Sequence, residues 1–299
     1  MTKIVIITGL TGSGKSGLAV KIAREFNGEI ISADSVQIYR GLDIGSAKED
    51  KVTMQEIPHH LIDIKDFSES YNVGEFVEDA KIAINKIIKN SKLPIIVGGT
   101  GMYIKALMEG YSFGETSADE TFRAKYQQLA KEQGNQAVWD ELNNLNPEKA
   151  KTVHPNNLKR VIRYLEIESN DKEMTKTESV LKDYEILCVG IVAERELIYS
   201  RINKRVDQMI EMGLEEEVKA LIKNGANASM QAFNSIGYKE WFDYFKCTQT
   251  KEKTIDLIKQ HTRNYCKRQL TFMKTMYGVS LCTMPQAEEQ IRSFLNDKN

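Results

Sequence analysis

Residues Gly9-Leu10-Thr11-Gly12-Ser13-Gly14-Lys15-Ser16 satisfy the pattern G-x-x-x-x-G-K-[ST] residue for residue. No other stretch restricts the fold as strongly, because the loop works only between a buried strand and the start of a helix. Backbone N–H groups then converge on one concavity, the positive end of the helix adds to them, and Lys15 supplies a full charge. Both flanks meet the requirement. Ile4 to Thr8 is a short apolar β-branched run suited to a buried parallel strand, and Gly17 to Phe26 places Leu18, Ile22 and Phe26 on one helical face. The loop therefore predicts a bound diphosphate or triphosphate, held by Gly9 to Ser16, with the Ser16 hydroxyl offered to Mg²⁺.

The 299 residues are enough for one large domain or two smaller ones, and 41% hydrophobic with 28% charged residues places the chain in the globular class. No apolar run approaches the roughly 20 residues of a membrane span. The N-terminal apolar run ends at the phosphate loop without a cleavage pattern, so no signal peptide is expected. Cys188, Cys247, Cys266 and Cys282 are scattered, which indicates neither a zinc site nor a disulfide framework and fits a reducing cytoplasm. A net charge of −1 argues against indiscriminate coating of nucleic acid, yet leaves room for a local basic groove.

Along the chain, Glu29 to Ser32 reads as a second strand with Asp34 just past its end. Ligands of open α/β sheets sit beyond the carboxyl ends of strands, so Asp34 belongs on the rim of the phosphate loop. It is equally a turn former or helix cap by type. His59 to Ile64 alternates like a strand; its two histidines lack a third ligand at suitable spacing. Asn72 and Glu75 form a capping box for a helix that buries Phe76, Val77, Ala80, Ile84, Ile87 and Ile88. It leads to the strand Leu93 to Val97. That strand ends in Gly98-Gly99-Thr100-Gly101 where an NTPase carries an aspartate for Mg²⁺, which leaves space beside the phosphate site.

The alternation describes a parallel, doubly wound sheet. Between about 111 and 184 helices replace it, as expected of an inserted subdomain, and Lys159, Arg160 and Arg163 share one helical face there. Ile186 to Val192 reads as the last core strand. Arg201, Lys204 and Arg205 then project together from the helix Glu196 to Met212. A long helix from Lys251 to Thr275 holds seven Lys/Arg against two Asp/Glu. Three basic faces in an almost neutral chain favour a polyanionic partner.

Read jointly, these segments resemble the tRNA dimethylallyltransferase (tRNA isopentenyltransferase) family. The matching stretches are GLTGSGKS at 9–16, ISADSVQIYRGLDIGSAK at 31–48, PHHLIDI at 58–64, VGGTGMYIKALMEG at 97–110, HPNNLKRVIRYLE at 154–166, RINKRVDQMIEMGLEEEV at 201–218 and IGYKEW at 236–241. They span nearly the whole chain in order. The resemblance implies an α/β, P-loop NTPase-like parallel-sheet core, residues 1–110 plus 186–299, with a helical insertion at 111–185 that binds the anticodon stem-loop of tRNA. It implies transfer of a dimethylallyl group from dimethylallyl diphosphate to the exocyclic amine of the adenosine 3′ to the anticodon, with Mg²⁺ as cofactor; a monomer is expected. It also assigns catalysis to Asp34 as general base with Thr11, Lys15 and Arg205, diphosphate contacts to Gly9, Leu10, Thr11, Gly12, Ser13, Gly14, Lys15 and Ser16, and the metal to Ser16. Contacts to tRNA fall on Asp34, Ser35, Val36, Gln37, Thr100, Arg123, Lys159, Arg160, Val161, Ile162 and Arg163. Gly101 departs from the pattern, since other members often carry a larger residue there.

The residues alone support such chemistry. Breaking an allylic C–O bond needs the leaving diphosphate neutralised, which Lys15, Arg205 and loop amides would do. An exocyclic amine must lose a proton as it attacks, and Asp34 is placed to accept one. A P-loop kinase of a small molecule or nucleotide competes, as does a nucleotide-dependent RNA-binding switch. The missing strand-end aspartate weighs against the first, and the lack of a base-selecting motif against the second.

Overall fold

The computed structural model describes residues 2–110, 120–169 and 178–297. Its chain divides into two compact units, residues 1–109 with 179–299 and residues 110–178. The first begins with β1 (Lys3–Gly9), whose residues Ile4, Val5, Ile6 and Ile7 are all fully buried. Side chains alternate across a sheet, so burial of successive residues means that both faces are covered, as in a central parallel strand.

After β1 come α1 (Lys15–Glu25), β2 (Gly28–Ser32), α2 (Lys51–Glu56), β3 (His59–His60), α3 (Val73–Lys89), β4 (Leu93–Gly98) and α4 (Gly101–Glu109). The second unit contains α5 (Glu120–Gln133), α6 (Asn135–Leu145), α7 (Pro147–Lys151) and α8 (Leu158–Ser169). The first unit resumes with β5 (Glu185–Ile191), α9 (Arg195–Glu211), α10 (Leu214–Lys223), α11 (Trp241–Phe245), α12 (Lys251–Met273), β6 (Val279–Cys282) and α13 (Met284–Asn296). Residues 179–184 pack with the first unit, where Ser179 Oγ donates to the Leu107 carbonyl at 2.7 Å and Leu181 is fully buried.

The sheet is α/β and all parallel, in the order β3-β2-β4-β1-β5-β6. Val5 stands opposite Ile95 of β4 on one side and Leu187 of β5 on the other. The chain leaves β1 toward β2, returns through β4, and continues on the opposite side at β5. That reversal puts a ligand crevice beyond the carboxyl ends of β1 and β4.

Two strand expectations need correction. The predicted strand from His59 to Ile64 is confined to the pair His59–His60, because Leu61 and Asp63 adopt left-handed φ values of 61° and 55° that end the extended run. Nor is β5 the last core strand. β6 adds a further strand beside it, with Cys282 opposite Ile191, and its half-exposed Val279 and Ser280 leave no long apolar run to recognise.

Helix α3 keeps its predicted cap: Asn72 Oδ1 accepts from Gly74 N at 2.8 Å and Glu75 N at 3.1 Å, while Glu75 Oε2 accepts from Asn72 N at 3.0 Å. Such a cap contributes about 1 kcal/mol. The second unit has its own apolar core, built on Val138, Leu142, Ala150, Val161 and Leu165. Trp139 Nε1 closes it by donating to the carbonyls of Ala150 and Val153 at 3.1 and 2.9 Å. Among the described residues no helix is long and apolar enough to cross a membrane.

Candidate active site

The phosphate loop leaves β1 at Gly9, where a β-carbon would stand 2.8 Å from the Ile191 carbonyl oxygen, and turns into α1 through Gly12 and Gly14. Both turn glycines have left-handed φ, 82° and 91°, a conformation costly for any other residue. Gly14 occupies the cap position of α1 without a side-chain cap, and the first turn carries no acidic residue. The helix therefore presents its first amides and its positive end to an anion. Ser13 Oγ is buried without a hydrogen-bond partner, which fits an acceptor-rich ligand at the same place.

A cavity of about 450 Å³ opens over this loop. Its walls hold four cationic side chains, Lys15, Arg205, Lys239 and Arg268, against two carboxylates, Asp34 and Glu49. The excess of positive charge suits a polyanion. Burial draws the Lys15 ammonium down to about 8, against the pull of Asp34 and with the push of Arg205. Burial likewise lowers Arg205, while Glu49 opposes it. Val97, Ile202, Val206, Met209, Ile236 and Ile258 make up an apolar portion of the lining.

Asp34 follows β2 and lines the cavity half-buried. Its Oδ1 accepts from Val36 N at 2.9 Å and Gln37 N at 3.4 Å, so the turn-forming reading of this aspartate is realised on the cavity wall itself. Thr100 Oγ1 accepts from Ser35 N at 3.1 Å, which ties the end of β4 to the same turn. The structure thus gathers Asp34, Ser35, Val36, Gln37 and Thr100 with Thr11, Gly12, Gly14, Lys15, Ser16 and Arg205 around one cavity. The anion-facing helix of the predicted basic set contributes Arg205 alone; Arg201 and Lys204 are exposed outside the lining.

Helix α12 supplies residues that sequence reasoning missed. Gln269 is buried; its Oε1 accepts from Thr11 N at 2.9 Å and its Nε2 donates to the Gly99 carbonyl at 3.0 Å. Tyr265 donates to the same carbonyl at 3.1 Å, and burial, reinforced by the Asp34 charge, pushes its hydroxyl up to about 12, which keeps it a donor. The glycines that end β4 are explained by close approach. A β-carbon on Gly98 would lie 2.1 Å from the Ala33 carbonyl oxygen, and one on Gly101 would lie 2.4 Å from the Phe272 ring. Lys239 and Glu49 on the cavity wall were also missed. No local spacing marks Gln269, Lys239 or Glu49; only the adjacent phosphate loop could have directed attention to what folds over it.

The remaining expected tRNA contacts lie in the second unit. Lys159 and Arg160 are exposed on α8, with Arg160 Nε donating to the Tyr164 hydroxyl at 2.8 Å and its guanidinium 5.3 Å from that ring. Arg123 and Arg163 both bond Glu166 Oε2, at 2.8 and 2.7 Å, and Glu166 is buried. Val161 and Ile162 pack their side chains into that unit's core.

A metal at this site would meet the Ser16 hydroxyl at the start of α1, with the carboxylates Asp34 and Glu49 on the wall. No cluster of three or more His, Cys, Asp or Glu able to hold a metal occurs among the described residues. Few protein ligands supplemented by substrate phosphate oxygens is the pattern of Mg²⁺ sites, so the residues fit that ion.

Comparison with known proteins bears on the same region. The sequence model of the family described as IPP transferase matches residues 37–276. A tRNA dimethylallyltransferase of Exiguobacterium sp. is 44% identical over 276 residues, 92% of this chain and 88% of that protein. One from Geobacillus thermodenitrificans is 43% identical over 291 residues, 96% and 92% of the two chains. Among solved structures, the full-length tRNA isopentenylpyrophosphate transferase of Bacillus halodurans superposes with a TM-score of 0.73 at 40% identity, covering 99% of this chain and 96% of that one. A eukaryotic dimethylallyltransferase captured acting on tRNA gives 0.75 at 28% identity, over 98% and 78%.

Proposed function

The chain belongs to the IPP transferase family, that of the tRNA dimethylallyltransferases, and from that premise we propose that its cavity transfers a dimethylallyl group from dimethylallyl diphosphate to the exocyclic N6 amine of the tRNA adenosine 3′ to the anticodon. The observation that carries this reading is the shared lining of one cavity: an anion-binding loop with Lys15 and Arg205, an apolar wall, and the carboxylate of Asp34.

The reaction follows from those groups. The donor's diphosphate lies against Gly12, Gly14, Lys15 and Ser16 of the loop, with Lys15 and Arg205 balancing its charge, and the five-carbon chain rests against Val97, Val206 and Met209. As the C–O bond breaks, the electron pair leaves with the diphosphate, whose growing charge meets groups already in position. The adenine amine forms the new C–N bond and gives its proton to Asp34, an assistance typically worth roughly 10²- to 10⁴-fold. The target base leaves its stack to reach the cavity, at a cost of a few kcal/mol, offset by phosphate contacts from Lys159 and Arg160 and by the wall from Ser35 to Gln37. Thr11 and Thr100 complete the positioning on the cavity wall. Mg²⁺, held by the Ser16 hydroxyl and donor oxygens, would supply further charge neutralisation for the leaving group.

A monomer working in the cytoplasm belongs to the same proposal; its four cysteines are free thiols, in keeping with a reducing compartment. The kinase alternative is not favoured, since the relatives are prenyltransferases and β4 ends without an aspartate. The deciding experiment supplies purified protein and Mg²⁺ with labelled dimethylallyl diphosphate and unmodified tRNA. Label in the tRNA together with released diphosphate is expected, whereas phosphoryl transfer from ATP to a small acceptor would replace this reading by the kinase.

A further inference from the structure

Glu217, on α10, lies outside the cavity lining yet is tied to two of its walls. Its Oε2 accepts from Ile44 N at 2.8 Å and Asp43 N at 3.2 Å; its Oε1 accepts from Gly45 N at 3.3 Å and from the Tyr238 hydroxyl at 2.7 Å. Three successive amides and a buried phenol on one carboxylate make a charge-assisted anchor. The anchored loop runs straight into the cavity, which Gly45, Ser46 and Ala47 line. Tyr238 is fully buried between Gly237 and Lys239, which line it as well. Loop and ring also touch, since a β-carbon on Gly45 would lie 2.6 Å from the Tyr238 ring.

Order passes inward from the loop to the turn beside Asp34. Gln37 Nε2 donates to the carbonyls of Ser46 and Ala47 at 3.3 Å each, and its Oε1 accepts from Ser32 Oγ at 2.9 Å. The Gln37 amide itself reaches Asp34 Oδ1 at 3.4 Å. The far end of the loop is held by buried Lys48, which donates to the Tyr39 carbonyl at 2.7 Å and to Asp63 Oδ1 at 2.5 Å and also bonds Asp43 Oδ1 at 2.6 Å. Glu217 is thus the tie between this loop and α10. The phosphate loop is held by Gln269 and does not depend on it.

We propose that Glu217 is a positioning residue for the acceptor side of the reaction: it fixes residues 43–47, and through Gln37 the wall that receives the tRNA adenosine, while leaving the donor side unaffected. The inference rests on the function proposed above. Glu217 acts through backbone geometry and touches no reacting atom, so reach should matter more than charge. Glu217→Asp keeps the charge but withdraws both oxygens by one methylene. Glu217→Gln keeps the reach: its oxygen still accepts from Asp43 N and Ile44 N, its NH₂ donates to the Tyr238 oxygen in a reversal of that bond, and the long bond from Gly45 N is lost.

The test measures steady-state kinetics with donor and tRNA varied separately for wild type, Glu217→Gln, Glu217→Asp and Glu217→Ala, with hydrogen–deuterium exchange over residues 41–48 in the absence of substrate. In the Asp and Ala variants the tRNA KM is expected to rise and kcat to fall, together lowering kcat/KM for tRNA by roughly 10- to 10²-fold, the usual consequence of a misplaced wall. The donor KM should stay within about twofold. Glu217→Gln should remain near wild type, and exchange at residues 43–45 should quicken in Asp and Ala alone. A merely structural role would lower the amount of folded enzyme, hence kcat, with both KM values unchanged, and that result overturns the proposal. So does the reverse order, with Asp intact and Gln impaired, which would give the role to charge. If Glu217→Ala does not fold, the Asp–Gln contrast carries the test. A wild-type enzyme that labels no tRNA overturns the proposed function instead, and the exchange data still decide whether Glu217 holds the loop.

Discussion

Gln269 and Gly99 are fitted to each other: Gln269 Nε2 donates to the Gly99 carbonyl at 3.0 Å, and a β-carbon on Gly99 would stand 2.3 Å from that nitrogen. The carboxamide cannot retreat cheaply, because its oxygen serves Thr11 N in the phosphate loop. Gly99→Ala is therefore expected to destabilise the protein by about 2 kcal/mol, the cost of leaving buried partners unsatisfied, and to weaken diphosphate binding. Urea unfolding checks the first effect. The double variant Gly99→Ala/Gln269→Ala should lose less than the sum of the singles, since the clash is then removed; strict additivity would deny the coupling.

Lys15 gives donor binding a pH dependence. With its ammonium drawn down to about 8 chiefly by burial, a rising share is neutral above that pH. Donor kcat/KM should fall as pH rises through about 8, and Lys15→Arg, which stays charged, should flatten the alkaline limb even at lower overall activity. Stability moves the other way. Between about 8 and the ordinary lysine value of 10.5 the unfolded chain binds the proton that the folded one has released, so the Lys15 contribution to stability increases with pH. A parallel loss of stability and activity in that window would contradict the assignment.

Asp34→Asn separates catalysis from the turn. The amide oxygen can still accept from Val36 N, which now bonds Oδ1 at 2.9 Å, but it cannot take the amine proton. Single-turnover transfer should slow by roughly 10²- to 10⁴-fold with tRNA affinity unchanged. Retained turnover would leave Asp34 as a turn former only.

On α8, Lys159 and Arg160 are exposed, whereas Arg123 and Arg163 are engaged with buried Glu166. Replacing Lys159 and Arg160 with Ala should weaken tRNA binding and reduce the slope of log K against log salt by about 0.9 for each phosphate that is no longer neutralised. Filter binding across a salt series measures it. An unchanged slope would mean that these two cations do not meet phosphate. Glu166→Gln should instead lower the stability of that unit, because two half-buried guanidinium groups lose the negative charge they share.

Much of this was legible in the sequence wherever it depends on neighbours along the chain. Strand, loop and helix at residues 4–26, the capping box at Asn72, and the place of Asp34 past β2 all follow from local pattern. Local pattern also misled. HHLIDI alternates like a strand but is stopped by left-handed Leu61 and Asp63, and β6 is too short and too exposed to announce itself. On the basic helix α12, Lys259 pairs with Asp207 at 2.5 Å and Arg263 with Asn203 at 2.7 Å, while Arg268 lines the cavity. Its functional residues turned out to include an uncharged one, Gln269.

By itself the sequence determined the anion-binding loop, the parallel sheet that presents it, and the carboxylate one strand away, because each is written in residues adjacent or one helical turn apart. Only the tertiary structure decided what closes over them. Gln269 lies 258 residues from Thr11, and Glu217 lies 172 residues from Gly45. Contacts at such separation carry no periodicity, so glycine at 99 and glutamate at 217 acquire their meaning only when the sheet brings α12 and α10 against the loops at its carboxyl edge.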